Sequence, residues 1–463
     1  MQRLRNINQV GLVSLIYPGA RHSRFEHSLG VASLVKRLCH QINDNMSNST
    51  EKATSPYKIS DKNINKLILA ALLHDVGHCC FSHLSEKIYG EFKHIQELQN
   101  AIKSTMDKSP NYHEILSFVI INTSTFKNNF YKFIDYPNKK NYSKNKDILF
   151  YEVGAYILGI NNLWMESKTN QKLDKYINIF NYQTSIINGD TDADKLDYIK
   201  RDSHFAGIPI DYDIERFYAK LQIDIIDVEE AISIKKYADK SKSKPSSSPK
   251  EKKKIKIFRL NYGQNLYNAI DEISFSKSML SRYIYNHQKV LCIDALVIDY
   301  IYKLKDAGKL NTISKFLQIT ENEVLTYSDE TLKKSNTLLE HFYKRDFPRR
   351  CFEISSEQYL MEEETLLKIV RPYIESNFTS YSDYQKIREL FYKNIRNEYK
   401  NKNLKKQFSI DDILLAFPEI KPSENIKTAI RQDNKNTGTA FNKQNNHYFQ
   451  DRYSERKRLM TNT

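Results

Sequence analysis

The chain has 463 residues, 40% of them hydrophobic, so it is long enough to bury a sizeable core and to form two or three structural units. Lysine and arginine number 71 against 56 for aspartate and glutamate, and the net charge of +15 favours anionic partners such as nucleotides, nucleic acid or acidic lipid. No uninterrupted apolar run approaches the roughly 18–20 residues that cross a bilayer, so we predict no membrane span.

The start of the chain and its cysteines predict a cytoplasmic protein. Pro18 and Arg21 directly follow a short apolar stretch, which argues against a signal peptide. The five cysteines show no zinc-knuckle spacing and are typical of buried thiols in a reducing compartment; they stand at positions 39, 79, 80, 292 and 351.

Helical periodicity dominates the chain, in which glycine (12) and proline (11) are sparse. The spacing of apolar residues predicts helices over 28–46, 62–76, 84–103, 113–121, 194–204 and 264–304. Alternation of apolar and polar residues at about 220–237 and 255–262 predicts a small β-hairpin. The predicted fold class is therefore mainly α.

The composition also predicts how the chain is divided. We expect a main unit over 1–300 with flexible loops at 43–61 and 238–254, a C-terminal helical lobe over 301–419, and a polar tail over 420–463. Much of the excess positive charge lies in the lysine-rich segment 240–254. Charge therefore suggests an anionic ligand without identifying it.

The segment LLHDVGHCCFSH at 72–83 contains three of the twelve histidines. We predict that the preceding helix ends at Gly77 in a left-handed C-cap, which places His74 and Asp75 in its last turn. There the helix dipole favours a cation, and both residue types bind divalent metals. A capped helix end without a metal is the alternative interpretation.

Two distant segments carry polar residues that could complete such a site. RHSRFEHSLG at 21–30 places His27 directly before a helix, and GDTDADKLDYIKRDSH at 189–204 opens another helix with several carboxylates. Asp190 or Asp192 would serve as an ordinary N-cap. Asp194 would lie in the first turn, where it could point into a shared cavity.

His27, His74–Asp75 and Asp194 form the H…HD…D pattern of the HD-domain metal-dependent phosphohydrolases. Six motifs follow one another in order: QRLRNINQVG, PGARHSRFEHSLGV, LLHDVGHCCFSH, HE at 113–114, DADKLDYIKRDSHFAGI and YNHQK. With these motifs the chain resembles the sterile-alpha-motif/HD-domain dNTP triphosphohydrolases and their bacterial dGTPase-like relatives, over about residues 1–300 and more weakly to about 355. The resemblance implies an HD-domain helical core with a small β-hairpin and a C-terminal helical lobe.

The resemblance implies one divalent metal, bound by His27, His74, Asp75 and Asp194. Fe, Mn, Mg and Zn all suit this set, and additional Mg would enter with the nucleotide. It also implies cleavage between the α-phosphorus and the 5′-oxygen, which releases nucleoside and intact triphosphate. The implied catalytic residues are His78 on the phosphate, His83 as the acid, His113 and Glu114 orienting them, and Glu86 in place of a usual Asp.

Substrate contacts are implied in the same way. Arg24, Lys195 and Tyr198 match phosphate-contacting positions, and Lys277 replaces an Arg, which keeps the charge but loses the bidentate fork. Gln9 and Asp202 match residues that bind the 3′-hydroxyl. The ring of Tyr285 would close against C2′ and exclude a 2′-hydroxyl, which favours dNTP over NTP.

Oligomeric relatives bind an activating nucleotide between subunits, so the resemblance implies a dimer or tetramer with such a site. Asn261 stands where a Lys is usual, YNHQK departs from YQHK, and the family's chains normally begin before QRLR. The matching activator positions are Gln2, Arg5, Arg259, Asn265 and His287.

The leading hypothesis is thus a dNTP triphosphohydrolase that lowers dNTP pools, in nucleotide homeostasis or phage defence. One alternative is an HD phosphohydrolase of a ribonucleotide or signalling nucleotide. Another is a basic nucleic-acid-binding protein with a vestigial HD site, which the positive charge would support.

Overall fold

The computed structural model shows a chain that is helical over most of the described residues. Among these residues, no helix combines the length and apolar character needed to span a membrane. The described residues are 1–48, 58–106, 109–133, 146–160, 180–189, 191–219, 221–227, 256–262, 267–327, 342, 344–345, 347, 381–401, 409–410, 413, 429–432 and 435–440.

Two short 3₁₀ helices, Gln2–Asn6 and Gly11–Leu15, precede the α-helices. The first helices are α1 (Arg24–Asn48), α2 (Asp61–Leu73), α3 (His83–Tyr89), α4 (Lys93–Met106), α5 (Tyr112–Asn122), α6 (Ser124–Phe133), α7 (Lys146–Leu158), α8 (Phe180–Ile187), α9 (Ala193–Ala206) and α10 (Ile214–Ala219). After the hairpin of β1 (Leu221–Asp227) and β2 (Lys256–Tyr262) come α11 (Tyr267–Leu280), a π-helical turn (Ser281–Tyr285), α12 (Gln288–Asp306), α13 (Ile313–Gln318), α14 (Glu321–Thr326), α15 (Tyr381–Asn401), β3 (Ala429–Gln432) and β4 (Lys435–Ala440).

The predicted class and the predicted hairpin are confirmed. β1 and β2 pair antiparallel, with Leu221 opposite Tyr262 and Asp227 opposite Lys256. Residues 228–237 of the first predicted strand and the predicted loop 238–254 lie outside the described residues.

Several predicted boundaries were wrong for identifiable reasons. The loop predicted at 43–61 begins as helix, because α1 continues to Asn48; residues 49–57 lie outside the described residues. The helix predicted over 84–103 is interrupted after Tyr89: Gly90 is the C-cap of α3, and α4 begins only at Lys93. The missing side chain of Gly90 lets the Tyr112 ring pack against this turn. The helix predicted over 264–304 is broken before α12, where His287 caps the new helix by accepting from Lys289 N at 3.2 Å.

The predicted polar tail contains secondary structure that we did not predict. β3 and β4 pair antiparallel within 429–440, and the backbone of β3 lies close to β2. Ile430, Thr437 and Thr439 supply the β-branched residues that favour strands, although the segment as a whole is polar. The division at 301, 419 and 420 stays a prediction.

Two buried clusters surround the segment that follows α2. In the first, α1 packs on α2 and α9 through residues such as Val35, Leu67 and Leu196. In the second, α3 packs on α12 through residues such as Ile88 and Ile293. The segment between α2 and α3 is thus held between the two buried clusters, and this packing fixes the positions of its histidines.

The described cysteines are buried free thiols, as their scattered spacing predicted. They are Cys39, Cys79, Cys80 and Cys292, whereas Cys351 lies outside the described residues. Burial raises the pKa of Cys39 and of Cys79 to about 12, which keeps both thiols protonated and suits a packing role.

Candidate active site

The turn after α2 carries His74 and Asp75, but Gly77 does not cap the helix as predicted. α2 ends at Leu73, and His74 is the C-cap in a right-handed conformation (φ −60°, ψ −34°). Gly77 is required for close packing instead: a Cβ there would overlap the His113 carbonyl and lie 2.5 Å from Ser117 N. The glycine lets α5 pack directly on this turn.

Ser117 of α5 fixes the turn by hydrogen bonds at both of its ends. Its hydroxyl accepts from Gly77 N at 2.8 Å and donates to the His74 carbonyl at 2.5 Å. The backbone that carries the HD pair is therefore positioned by a neighbouring helix rather than by the end of α2.

The four predicted metal ligands converge from three parts of the chain. His27 lies in the first turn of α1, and its Nε2 is 2.9 Å from Asp194 Oδ1 at the start of α9 and 3.8 Å from Asp75 Oδ2. His74 Nε2 is 3.3 Å from Asp75 Oδ1 and 3.8 Å from Asp194 Oδ1. Ligand atoms of His27, His74 and Asp75 all lie within 4.8 Å of one another.

The hydrogen bonds of the two histidines leave their Nε2 atoms for a cation. His74 Nδ1 donates to the Ala71 carbonyl at 2.7 Å, and its buried Nε2 has no hydrogen-bond partner among the described residues. His27 Nδ1 donates to Asp197 Oδ2 at 2.8 Å. Two imidazole nitrogens beside two carboxylates are a donor set that fits Fe, Mn or Zn and accommodates Mg less well.

The charged groups of this centre shift one another's pKa values. Burial lowers the pKa of His27, but hydrogen bonds with Asp194 and Asp197 outweigh it and raise the pKa to about 10. Burial raises the pKa of Asp75, yet the Arg24 guanidinium and the neighbouring imidazoles hold it below its usual range. Without a metal His27 therefore holds a second ring proton, which a divalent cation would displace on binding.

Asp197 is a functional residue that the sequence analysis missed. It accepts from His27 Nδ1 and is clamped by Arg201, whose Nε and Nη2 donate to its two oxygens at 2.7 and 2.9 Å. Gly30 makes this approach possible, since a Cβ there would lie 2.8 Å from Asp197 Cγ. Its spacing in the sequence could have indicated this role, because Asp197 lies one helical turn after Asp194 and four residues before Arg201.

A second cluster lies against the first and contains His78, His83, His113 and Glu86. Glu86 joins its members: Oε1 is 3.0 Å from His113 Nδ1, and Oε2 is 2.8 Å from His83 Nδ1. The His78 and His113 rings stack with centroids 3.9 Å apart. His83 is 61% exposed and forms the open side of the cluster.

The two stacked rings differ in charge. Burial lowers the pKa of His113, but the Glu86 carboxylate outweighs it and raises the pKa to about 9. Burial and the neighbouring positive groups, Arg24 first among them, hold the pKa of His78 well below its usual range. A protonated His113 thus lies beside a neutral His78, and both ring nitrogens of His78 lack hydrogen-bond partners among the described residues.

Glu114, predicted to orient the histidines, hydrogen-bonds elsewhere in the structure, and its orienting role stays a prediction. Glu114 completes a capping box at the start of α5, where Oε2 accepts from Asn111 N at 2.6 Å, and Oε1 accepts from Asn188 Nδ2 at 2.7 Å. Among the described residues, the carboxylate that hydrogen-bonds both His83 and His113 is that of Glu86.

Of the residues predicted to contact phosphate, Arg24 lies deepest in the site. It donates to Asp75 Oδ2 at 2.6 Å and to Ser82 Oγ at 2.9 Å. Lys195 instead folds back on its own helix start, with Nζ 2.7 Å from Asp192 Oδ2. Tyr198 and Lys277 are partly buried, on α9 and in the last turn of α11.

The predicted sugar-contacting residues form a chain of contacts. Asp202 Oδ1 is 2.8 Å from His22 Nε2, and Asp202 Oδ2 accepts from the Tyr285 hydroxyl. Gln9 is buried, and its Oε1 has no hydrogen-bond partner among the described residues. His22, which stacks on Phe205 with centroids 4.6 Å apart, was not predicted as part of this group.

The predicted activator positions are only partly described. Arg5 donates to Gln2 Oε1 at 2.7 Å and lies 3.7 Å from the Phe25 ring centroid. His287 caps α12, the backbone of Arg259 pairs with Asp224 in the hairpin, and Asn265 lies outside the described residues.

The part of the chain that carries most of the predicted metal ligands is similar to a known domain family. Residues 24–129, which include three of the four predicted ligands, match the model of the HD domain. The chain is 23% identical over 382 residues to L394 of Acanthamoeba polyphaga mimivirus, a protein named for its HD domain, covering 76% of this chain and 68% of that protein.

Two further relatives are named as triphosphohydrolases. The chain is 26% identical over 370 residues to the deoxynucleoside triphosphate triphosphohydrolase SAMHD1 of Homo sapiens, covering 74% of this chain and 50% of that protein. It is 24% identical over 363 residues to the SAMHD1 homolog of Dictyostelium discoideum, covering 76% and 55%. The chain thus spans about half the length of these two proteins.

Proposed function

We propose that this chain, a member of the HD-domain family related to the dNTP triphosphohydrolases, hydrolyses dNTPs to deoxynucleoside and inorganic triphosphate. One observation carries the proposal: Asp75 borders both clusters, with Oδ1 3.3 Å from His74 Nε2 and 3.4 Å from His78 Nε2. A phosphorus atom bound at the first cluster would therefore lie next to the proton-carrying groups of the second.

The first cluster supplies the metal-dependent part of the chemistry. A divalent cation bound by His27, His74, Asp75 and Asp194 would polarise a phosphoryl oxygen and lower the pKa of a bound water. Asp197 holds the His27 ring through Nδ1, and Ala71 holds the His74 ring in the same way. These contacts fix both rings before any ligand arrives, which favours binding and activity.

The second cluster supplies charge and a proton. Water adds to the α-phosphorus, the bond from phosphorus to the 5′-oxygen breaks, and that oxygen takes up a proton as deoxynucleoside leaves. We assign the proton to His83, because Glu86 holds its Nδ1 and leaves Nε2 for the leaving group. Protonated His113 and the Arg24 guanidinium would stabilise the negative charge of the phosphates.

The contact between Asp202 and Tyr285 supports selection of the deoxyribose. The carboxylate accepts from the tyrosine hydroxyl and so restrains the ring that would close against C2′. The Oε1 of buried Gln9, which has no hydrogen-bond partner in the described part of the chain, is a suitable acceptor for the 3′-hydroxyl. A ribonucleotide would bring its 2′-hydroxyl against a restrained ring, which disfavours binding.

Regulation and assembly extend the proposal. The names of the relatives point to a nucleotide ligand, and the resemblance of the motifs implies an oligomer. Gln2 with Arg5 forms an exposed polar pair suited to an activating nucleotide between subunits. We propose a cytoplasmic dimer or tetramer that lowers dNTP pools, in nucleotide homeostasis or phage defence.

The test is a product assay with each dNTP and each NTP, with Mn²⁺ or Mg²⁺, and with or without GTP or dGTP. We expect deoxynucleoside and triphosphate in equal amounts from dNTPs, with loss of activity in the His74→Ala/Asp75→Ala double variant. Release of pyrophosphate or orthophosphate would contradict the reaction. Equal turnover of NTPs would instead favour the ribonucleotide alternative.

A further inference from the structure

A carboxylate from α14 reaches the N-terminal part of the site. Glu321 is buried, with 6% of its surface exposed. Its Oε1 accepts from Asn8 N at 3.2 Å and from Phe81 N at 3.0 Å, and its Oε2 accepts from Asn8 Nδ2. All three donors belong to segments more than 200 residues earlier in the chain.

Glu321 is not needed to cap its own helix. Thr320 and Glu323 form a complete capping box there: Thr320 Oγ1 accepts from Glu323 N at 3.3 Å, and Glu323 Oε2 accepts from Thr320 N at 2.7 Å. The helix start is therefore satisfied without Glu321. Burying an additional carboxylate is costly unless it is bound by donors, so its contacts with Asn8 and Phe81 are the feature that requires explanation.

The turn that Glu321 contacts has an unusual backbone. Phe81 and Ser82 have φ values of 59° and 53°, in the left-handed region that non-glycine residues rarely adopt. Ser82 is the N-cap of α3, but its hydroxyl makes no capping hydrogen bond. Instead its Oγ lies 2.6 Å from the Asn8 carbonyl and accepts from Arg24 Nε at 2.9 Å.

We propose that Glu321 is a positioning residue of the candidate active site, which joins Asn8 to the Phe81–Ser82 turn. Both partners lead directly into the site, because Gln9 follows Asn8 and His83 follows Ser82.

Arg24 completes the same network, since its Nη2 lies 3.4 Å from the Gln9 carbonyl. Glu321 thereby sets the relative positions of the sugar-binding, phosphate-binding and proton-donating groups. The names given to these three groups rest on the proposed function; the contacts themselves do not.

The proposal separates substrate binding from metal binding. Among the described residues, the hydrogen bonds of Glu321 go to Asn8 and Phe81, whereas the predicted ligands His27 and His74 are held by Asp197 and Ala71. Arg24 links the two regions, because it donates to Ser82 Oγ at 2.9 Å and to Asp75 Oδ2 at 2.6 Å. Glu321→Ala should therefore raise the KM for dNTP and weaken binding of inorganic triphosphate by about tenfold or more, since the buried N–H groups of Asn8 and Phe81 lose their acceptor. Metal content should stay near the wild-type value, because His27 and His74 keep their supporting contacts.

Glu321→Gln and Glu323→Ala complete the set of variants. The glutamine oxygen can still accept from Phe81 N–H, so Glu321→Gln should restore part of the loss. Glu323→Ala removes the capping box of the same helix without touching the core and should leave KM and triphosphate binding at wild-type values.

The experiment measures hydrogen exchange of the Phe81 amide, the Kd of inorganic triphosphate with Mn²⁺, metal content, and KM and kcat for dNTP. Faster exchange at Phe81 and a raised KM at unchanged metal content are expected in Glu321→Ala. Wild-type exchange together with wild-type KM and triphosphate binding would overturn the proposal.

Hydrogen exchange can be measured whether or not the protein hydrolyses dNTP, so it tests the role of Glu321 independently of the proposed function. If the wild-type protein hydrolyses no dNTP, the proposed function fails, and exchange at Phe81 and His83 still decides whether Glu321 fixes the turn. If the wild type is active and Glu321→Ala equals it in every readout, only the inference fails. Where Glu321→Ala does not fold, Glu321→Gln is judged by the same measurements.

Discussion

Asp197→Asn tests whether the carboxylate behind His27 prepares the metal centre. Asp197 Oδ2 accepts from His27 Nδ1 at 2.8 Å and from Arg201 Nε at 2.7 Å, and Oδ1 accepts from Arg201 Nη2 at 2.9 Å. Asparagine keeps the size of the side chain and one acceptor oxygen. It removes the charge and directs an amide N–H at one of the two donors, so the hold on the His27 ring becomes weaker.

The expected loss of metal affinity follows from the position of Asp197, which hydrogen-bonds the predicted ligand His27. Contacts of this kind change metal affinity by about 10–100-fold, or about 1.4–2.7 kcal/mol. Asparagine can retain the bond to His27, so we expect about a tenfold weaker Kd for Mn²⁺ in Asp197→Asn and about a 100-fold weaker Kd in Asp197→Ala. Titration of the metal-free protein with Mn²⁺ by calorimetry measures both.

A matched control removes the effect of charge alone. Asp211 is an exposed carboxylate paired with Lys200 at 2.8 Å, and Asp211→Asn should bind Mn²⁺ like the wild type. Denaturation by urea checks that Asp197→Asn remains folded at the temperature of the titration. Wild-type Mn²⁺ affinity in a folded Asp197→Asn variant would refute the role assigned to this carboxylate.

Gly77→Ala should lower the free energy of unfolding by about 1–3 kcal/mol in urea denaturation, because its Cβ would overlap the His113 carbonyl; wild-type stability would contradict the close packing of α5. Burial raises the pKa of Glu321 from 4.5 to about 7 despite its hydrogen bonds, so between these values the folded protein holds a proton that the unfolded chain has released. The free energy of unfolding should therefore fall as pH rises from 4.5 to 7, and it should fall more steeply in the wild type than in Glu321→Gln. Equal dependence on pH in the two proteins would contradict a raised pKa of Glu321. Tyr285→Ala should lower the ratio of kcat/KM for dNTP to kcat/KM for NTP by about tenfold or more, and an unchanged ratio would exclude Tyr285 as the steric gate.

Four candidate metal ligands could be predicted from the sequence, because their residue types and order are specific when taken together. His27, His74, Asp75 and Asp194 come from separate segments, and the structure brings all four together. Helical periodicity likewise predicted most helices, since the buried faces of α1 and α2 recur at helical spacing.

The errors arose where tertiary contacts override a local rule. A glycine after a helix is typical of a C-cap, and only the position of α5 shows that Gly77 serves close packing instead. Asp197 reads in sequence as half of a surface ion pair with Arg201, because nothing local indicates that His27 lies behind it. Glu321 could not be found at all, since its partner Asn8 lies 313 residues away.

Hydrolysis in H₂¹⁸O measures whether water attacks the α-phosphorus beside the proposed metal centre. Cleavage between the α-phosphorus and the 5′-oxygen predicts ¹⁸O in the inorganic triphosphate and unlabelled deoxynucleoside, with both products absent in His74→Ala/Asp75→Ala. Label in the deoxynucleoside would show attack at carbon, and hydrolysis that survives in the double variant would show that His74 and Asp75 are not needed.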